Sequence, residues 1–211
     1  MVILIGNQKG GAGKSTFTLL LSNYLVQQRN RKVTVLDMDY QQSLFSKFEK
    51  AKILENEPLY EVVPASLEHF PAISKAMKSR TGELMVLDLP GKMDDDGLIP
   101  LFKAADLVIC PFSFDELSVD STVLFSMVIR KINGKVPMVF VPNRVKGTVR
   151  YETRSEIENV IRNFGMVVPE LGDRVDFQRI STIHTPIGLI PATLPVLDLI
   201  YGQFIDREGP Q

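Results

Sequence analysis

The sequence predicts an α/β protein: a mostly parallel sheet with helices on both faces, in three layers. Three observations predict it. Short apolar runs recur along the chain, and most are followed by a stretch with apolar residues at helical spacing. Two of these runs end on an acid, Val33-Thr34-Val35-Leu36-Asp37 and Leu84-Met85-Val86-Leu87-Asp88. Between the first run and the first helical stretch lies a charged, glycine-rich turn, Lys9-Gly10-Gly11-Ala12-Gly13-Lys14-Ser15-Thr16. Strands that alternate with helices need crossover connections, so they pair in parallel and place helices over both faces.

The elements follow in order. Val2 to Ile5 reads as a buried strand, and Phe17, Leu20, Leu21, Tyr24 and Leu25 mark one face of an amphipathic helix. A polar turn at Arg29 to Lys32 leads into the strand at Val33. Ser43 to Lys52 is expected to be helical, Tyr60 to Val63 a short strand, and Ser66 to Lys78 a further helix. The run at Leu84 is the clearest inner strand, and Leu89-Pro90-Gly91 turns out of it. Asp94-Asp95-Asp96 reads as a solvated acidic loop or a helix cap ahead of Leu98. Leu107 to Cys110 is a strand that Pro111 should end, since proline has no N–H for a ladder. A helix over Leu117 to Lys131 carries the apolar residues Val119, Val123 and Val128, with Ile132 just beyond. Met138 to Val141 is a strand, Glu152 to Asn163 a helix, Met166 to Pro169 a short strand, and Val196 to Ile205 the last helix. The tail from Arg207 should fray. There is no repeat or linker, so one domain over residues 1–211 is expected.

Composition narrows the function classes. Hydrophobic residues make up 45% and charged residues 23%, which is ordinary globular usage. No run of eighteen apolar residues stands out and no basic leader precedes the first strand, so neither a membrane span nor a signal peptide is expected. The lone Cys110 ends an apolar run and reads as a buried thiol in a reducing cytoplasm. Net charge is −1, which excludes a strongly basic nucleic-acid binder. Residues 130–180 hold ten Lys/Arg against six Asp/Glu, a local +4 that leaves −5 elsewhere. His69 and His184 have no acidic or cysteine neighbours at ligand spacing.

The turn carries the chemistry. Glycines let the backbone bend sharply and aim successive N–H groups at one anion, and the following helix adds its positive end. Lys14 supplies a full charge for β- and γ-phosphates, and Ser15 a hydroxyl for Mg²⁺. A turn that only joined strand to helix would explain neither lysine. The strict pattern G-x-x-x-x-G-K-[ST] fails, because Gln8 stands where its first glycine belongs. What fits is K-G-G-x-G-K-[ST]-T, with an extra lysine at Lys9. The apolar strand capped by Asp88 then reads as the Walker B carboxylate beside the metal, and the fold as that of a P-loop NTPase.

With these residues in place, the chain resembles the ParA/MinD family of deviant Walker A ATPases, and most closely its small partition proteins. The matching stretches are Lys9 to Thr16, Asp37-Met38-Asp39-Tyr40-Gln41, Leu87-Asp88-Leu89-Pro90-Gly91, Ala104-Ala105-Asp106-Leu107-Val108 and Asn143-Arg144. A looser likeness runs from Val168 to Gly188, resting on Val168-Pro169, Arg174 and Thr185-Pro186-Ile187-Gly188. The resemblance implies ATP and Mg²⁺ as ligands and a slow, partner-stimulated ATPase. It implies that Gly10, Gly11, Ala12 and Gly13 cradle the phosphates, with Lys14 on the β/γ-phosphates and Thr16 on the α-phosphate. Ser15 would bind Mg²⁺, with Asp37 and Asp88 reaching it through water. Asp39 would orient the attacking water, Asn143 would read the adenine edge, and the stretch near Pro169 would cover the ring. Lys9 would reach the nucleotide of a second subunit, so that the ATP-bound form is a face-to-face homodimer. Partners implied are a small DNA-binding ParB-like protein and non-specific DNA, for which Arg150, Arg154, Arg162, Arg174 and Arg179 are candidates.

One departure stands out: Tyr40 replaces the proline usual in the family's D-x-D-P-Q, which puts the geometry of Asp39 in question. It keeps open a nucleotide-binding adaptor that hydrolyses little. A metabolic enzyme of related fold is the third alternative; cluster carriers need two cysteines per chain, and only one is present. Asn143-Arg144-Val145-Lys146 lacks the aspartate of a guanine-reading N-K-x-D, which favours adenine. The last helix has almost no positive charge, unlike a membrane-surface anchor.

Overall fold

A computed structural model of the chain describes residues 1–78, 82–92, 95–148 and 152–206. Its strands are β1 (Val2–Ile5), β2 (Val33–Asp37), β3 (Glu61–Pro64), β4 (Leu84–Asp88), β5 (Leu107–Phe112), β6 (Met138–Pro142) and β7 (Met166–Val167). They form one sheet in the order β3-β2-β4-β1-β5-β6-β7, with every pairing parallel. The helices are α1 (Lys14–Gln27), α2 (Ser43–Ile53), α3 (Phe70–Lys78), α4 (Ile99–Ala104), α5 (Glu116–Ile132), α6 (Arg154–Arg162) and α7 (Ile190–Ile200). The three-layer α/β expectation therefore holds.

Side chains alternate along each strand, and both faces are apolar because both are covered. Ile3, Ile5, Val35, Val86 and Ile109 pack with α1, α2 and α7, whereas Leu4, Leu36, Leu87, Val108 and Phe140 pack on the opposite face. The register of the central strands positions the site. Ile5 pairs with Asp88, and Asp88 with Asp37, so three strands end level with one another.

Four features differ from the sequence expectations. First, β5 does not stop at Pro111 but runs to Phe112, with Pro111 opposite Val141 of β6. Its missing N–H costs nothing there, because that edge faces the point where β1 has already given way to the loop; the Pro111 carbonyl accepts from the side chain of Asn7 instead. Second, the buried face of α5 is Ser118, Thr122, Phe125, Ser126 and Ile129 rather than the valine stripe, and Val128 is 38% exposed. The Thr122 and Ser126 hydroxyls donate to the carbonyls of Ser118 and Thr122, each at 2.7 Å, which hides their polarity and lets them pack. Third, the acidic stretch caps a turn ahead of Leu98 as expected, but α4, which the sequence did not reveal, follows it. Asp95 accepts from the Gly97 N–H at 2.7 Å and Pro100 occupies the first turn, a short helix with too few residues for a periodic signal. Asp94 lies outside the described residues, as do Arg150 and the tail from residue 207.

Fourth, the last helix starts at Ile190, six residues before Val196, and ends in a π-turn over Tyr201–Ile205. Pro191 sits in its first turn, where no N–H is needed, and Pro195 is tolerated inside. By length and composition Ile187–Ile205, 19 residues with a mean hydropathy of 1.4, is apolar enough to cross a membrane. In this fold its Leu189, Val196, Leu197, Ile200 and Ile205 are buried in the core. Helix α7 also covers the outer side of α1, which explains why α1 is buried nearly all round rather than along one stripe.

The α1–α7 contact is fixed by a polar cluster. Tyr24 Oη and Arg29 Nη2 both donate to Asp198 Oδ1 at 2.6 Å, and the Arg29 guanidinium lies 4.8 Å from the Tyr201 ring centre. Burial, then the bond to Asp198, pushes the Tyr24 hydroxyl up to about 12. The bond from Tyr24, with Arg29 beside it, holds the Asp198 carboxyl below its ordinary 3.8. A carboxylate with a depressed folded pKa contributes stability above its unfolded value and loses it as pH falls through the folded value. Asp198→Ala should therefore cost about 0.5–1 kcal/mol at neutral pH, since the side chains of Arg29 and Asp198 are 35% and 43% exposed and solvent screens the pair. In urea titrations that difference should shrink towards zero below the ordinary value of 3.8. Gly165→Ala should cost more, since the added Cβ would stand 2.1 Å from the Met138 carbonyl oxygen.

Candidate functional site

The loop between β1 and α1 turns on Gly11 and Gly13, whose φ values are +80° and +94°. Both lie in the left-handed region that glycine adopts without strain. A Cβ on Gly13 would also meet Asn143 Nδ2 at 2.2 Å, so this position needs glycine twice over. Helix α1 opens at Lys14, directly after the second turn, which points its N-terminal N–H groups at the cleft.

Lys14 is 7% exposed. Burial depresses its ammonium, while Asp88 and Asp39 act in the other direction. Its Nζ donates to the Lys9 carbonyl at 3.4 Å. Asp88, wholly buried at the end of β4, has its carboxyl pushed up to about 7, chiefly by burial, with hydrogen bonds from Ser15 and Thr18 pulling against it. Thr18 Oγ1 donates to Asp88 Oδ1 at 3.2 Å, whereas Asp88 Oδ2 is buried with no hydrogen-bond partner. Such an orphaned oxygen is costly unless something fills its place.

Asp37 is also wholly buried and works as a cap. Its Oδ2 accepts from the N–H groups of Leu44 and Phe45, both at 2.9 Å, and its Oδ1 from Asp39 N at 3.3 Å. It therefore anchors the N-terminus of α2 and the turn that holds Asp39. That turn is closed by Gln42 N donating to the Asp39 carbonyl and by Gln41 N donating to Asp39 Oδ1, each at 2.9 Å. Tyr40 sits at the crest of the turn with 75% of its surface exposed. The turn forms without proline, and Asp39 still faces the cleft.

The cleft encloses about 560 Å³. Its floor is Gly10, Gly11 and Gly13 to Thr16, and Asp39, Gln41 and Gly91 form one wall. The other wall brings together Asn143, Arg144, Asp173, Arg174, Phe177 and Gln178. Ala12 is buried beneath the floor, and Lys9 is half-buried and not among the residues lining the cleft of its own chain. Asn143 is already engaged: Nδ2 donates to the Ala12 carbonyl at 3.0 Å, and Oδ1 accepts from Arg144 N at 2.9 Å. It holds the loop from the far side. Arg144, with φ +57°, reaches the Gly11 carbonyl through Nη1 at 3.2 Å.

Pro169 is exposed and not among the lining residues. The apolar and amide groups on that wall are Phe177 and Gln178, on a 3₁₀ turn over Val175–Arg179. No pattern in the sequence marks such a turn, which is too short to be periodic. Asp173 places a carboxylate in the wall that the Asn143 to Lys146 stretch does not supply.

The donor set fits a hard divalent cation held together with phosphates. A hydroxyl, Ser15, and a carboxylate oxygen without a partner, Asp88 Oδ2, stand together beside Lys14. Among the described residues no group of three or more His, Cys, Asp or Glu could hold a metal by itself. Mg²⁺ suits such a site, since it takes few protein ligands and keeps water and phosphate oxygens.

A family model for the CobQ/CobB/MinD/ParA nucleotide-binding domain matches residues 3–187. The chain belongs to that family. No curated protein sequence matches it. Among solved structures, a chain from Borrelia burgdorferi B31 described as a plasmid partition protein and bound to AMPPNP has a TM-score of 0.71 at 20% identity, covering 95% of this chain and 98% of that one. MinD from Aquifex aeolicus has a TM-score of 0.72 at 16% identity, covering 96% and 97%. A Cyanothece McdA–ATP complex has a TM-score of 0.71 at 14% identity, covering 95% and 96%. These likenesses show that the fold is that of ParA- and MinD-type nucleotide-binding domains.

Most of the arginines expected to meet DNA are matched within the chain. Arg154 pairs with Glu158 and Glu170 and stacks on Phe114, Arg162 pairs with Glu158, and Arg179 with Asp176. Arg174 faces the cleft. Arg154, Arg162 and Arg179 are thus held in surface ion pairs, which take them out of the local positive balance.

Lys14→Ala should weaken ATP binding by about 100-fold or more, since a buried charge partner of the phosphates is lost; calorimetric titration checks it. Gly13→Ala should do the same by displacing both the loop and Asn143, and should also lower the unfolding temperature.

Proposed function

We propose that this chain is an ATPase of the ParA type, a nucleotide-dependent dimerising switch that positions DNA or another large cargo. The observation that carries the nucleotide assignment is that the glycine loop, Lys14 and Ser15 line one cleft, and that Lys14 and Ser15 stand beside Asp88, a buried carboxylate with one unpartnered oxygen. In this reading the glycine loop and Lys14 hold the β- and γ-phosphates. Ser15 and Asp88 hold Mg²⁺, which when bound neutralises phosphate charge. Asp37 contributes by keeping the Asp39 turn in place.

Asp39 is the candidate for orienting the attacking water, as the carboxylate in the cleft wall opposite the 3₁₀ turn. Its position favours hydrolysis over a purely adaptor role, because the substitution at Tyr40 leaves the turn closed and the carboxylate turned inward. Phe177 and Gln178 offer a flat apolar face and an amide for a base, which suits adenine. Lys9 is the candidate for contact with the nucleotide of a second subunit. Its half-exposed place outside its own cleft supports that role, as does the resemblance of Lys9 to Thr16 to the deviant loop. The dimer then closes over two nucleotides, and hydrolysis releases it. A small DNA-binding partner of the ParB type, and DNA contact by the ATP-bound dimer, complete the proposal.

Two substitutions test it. Lys9→Ala should bind ATP within about threefold of the parent but lose ATP-dependent dimers in gel filtration, together with turnover. A Lys9→Ala chain that dimerises normally would exclude contact in trans. Asp39→Ala should accumulate long-lived ATP-bound dimers with turnover down at least about 100-fold; parental turnover would remove Asp39 from the reaction.

A further inference from the structure

The amide of Asn7 belongs neither to the phosphate cradle nor to the cleft wall, yet it is wholly buried and fully bonded. Its Oδ1 accepts from the N–H of Lys9 at 3.1 Å. Its Nδ2 donates to the Pro111 carbonyl of β5 and to Thr122 Oγ1 of α5, both at 2.9 Å. An amide is suited to this place, because it can accept from one neighbour and give both its hydrogens to two acceptors. A carboxylate would face two acceptors with no proton to offer, and an aliphatic side chain would strand three buried groups.

The bonds continue beyond Asn7. Thr122 Oγ1 donates to the Ser118 carbonyl at 2.7 Å, and Ser118 Oγ accepts from Ser113 N at 3.0 Å. Ser118 N donates to Asp115 Oδ1 at 3.0 Å and Ser113 Oγ to Asp115 Oδ2 at 2.5 Å. Burial raises the Asp115 carboxyl, but the bonds from Ser113 and Ser118, together with the charge of Lys9, bring it below 3.8. The network that begins at the Lys9 peptide therefore ends on a carboxylate within electrostatic reach of the Lys9 ammonium. Both ends of Lys9 answer to the first turns of α5.

We propose that Asn7 is the positioning residue for Lys9, tying the Lys9 peptide to β5 and α5 so that its side chain leaves the loop towards a second subunit. The proposal rests on the assignment of Lys9 to contact in trans. It separates two tasks within one loop: glycines, Lys14 and Ser15 bind the nucleotide, while Asn7 aims the residue that senses the other protomer. A purely structural asparagine would lower stability and nucleotide affinity together. A positioning asparagine loses its effect once Lys9 is removed.

The test is a double-mutant cycle on the full chain with Mg²⁺ and AMPPNP, reading ATP-analogue affinity by calorimetry and the dimer dissociation constant by sedimentation. Asn7→Ala should leave nucleotide affinity within about threefold and weaken the dimer by about tenfold or more. Combined with Lys9→Ala it should add no further loss. Thr122→Val keeps the shape of α5 and removes one acceptor of Asn7 together with the bond that Thr122 gives to the Ser118 carbonyl of its own helix; it should shift the dimer constant the same way and decides the matter should Asn7→Ala fail to fold. Losses that add to those of Lys9→Ala, or an unchanged dimer in both variants, would overturn the positioning role. An unchanged dimer in Lys9→Ala alone would instead overturn the trans assignment on which it rests.

Discussion

An ammonium and a carboxylate share the dry ground where the central strands end, and the rest of the molecule is arranged to keep them there. Lys14 and Asp88 are each buried, and each pulls the other's ionisation against the pressure of desolvation. Charges held this way are costly in the folded state and effective against a ligand, since little water competes for them. The parallel register does the placing: with Ile5 level with Asp88 and Asp88 level with Asp37, the loop, the Asp88 carboxylate and the α2 cap meet at one edge of the sheet. Ligand sites of open parallel sheets lie beyond such strand ends for this reason.

The division of labour among the acids follows from burial. Asp37 and Asp88 are both enclosed, but Asp37 spends its oxygens on the N–H groups of Asp39, Leu44 and Phe45, whereas Asp88 keeps one oxygen without a partner. The first is therefore occupied by the backbone it holds, and the second keeps the free oxygen that the proposed metal role calls for. Asp39 is less enclosed and turned into the cleft, so it remains able to act on a water or a phosphate. Three carboxylates near the same edge thus differ in what each is left free to do, set by which hydrogen bonds each has already accepted.

Much of this was legible in the sequence because it is written in strong local signals. Apolar runs ending in Asp37 and Asp88 name the strands and their functional ends, and the glycines and lysines from Lys9 to Thr16 name the loop. What was hidden depends on contacts between distant segments. Pro111 stays in its strand because β1 has ended beside it, which no local rule about proline can anticipate. The inner face of α5 carries Ser118, Thr122 and Ser126 beside Phe125 and Ile129, with hydroxyls satisfied by their own helix or by Ser113, so hydropathy points to the wrong side. Asn143 lines the cleft and holds the loop through Ala12, and Phe177 and Gln178, which no local pattern marks, line it as well. Asn7, one polar residue between a strand and a glycine turn, carries no pattern at all.

The account stands on what lies across the cleft from Lys9. A crystal structure of the chain with Mg²⁺ and AMPPNP tests it most directly. It should show two protomers face to face, the Lys9 ammonium of each within hydrogen-bonding distance of the partner's phosphates, and the metal beside Ser15 with Asp88 behind it. A nucleotide-filled monomer, or a dimer in which both Lys9 side chains point to solvent, would contradict it.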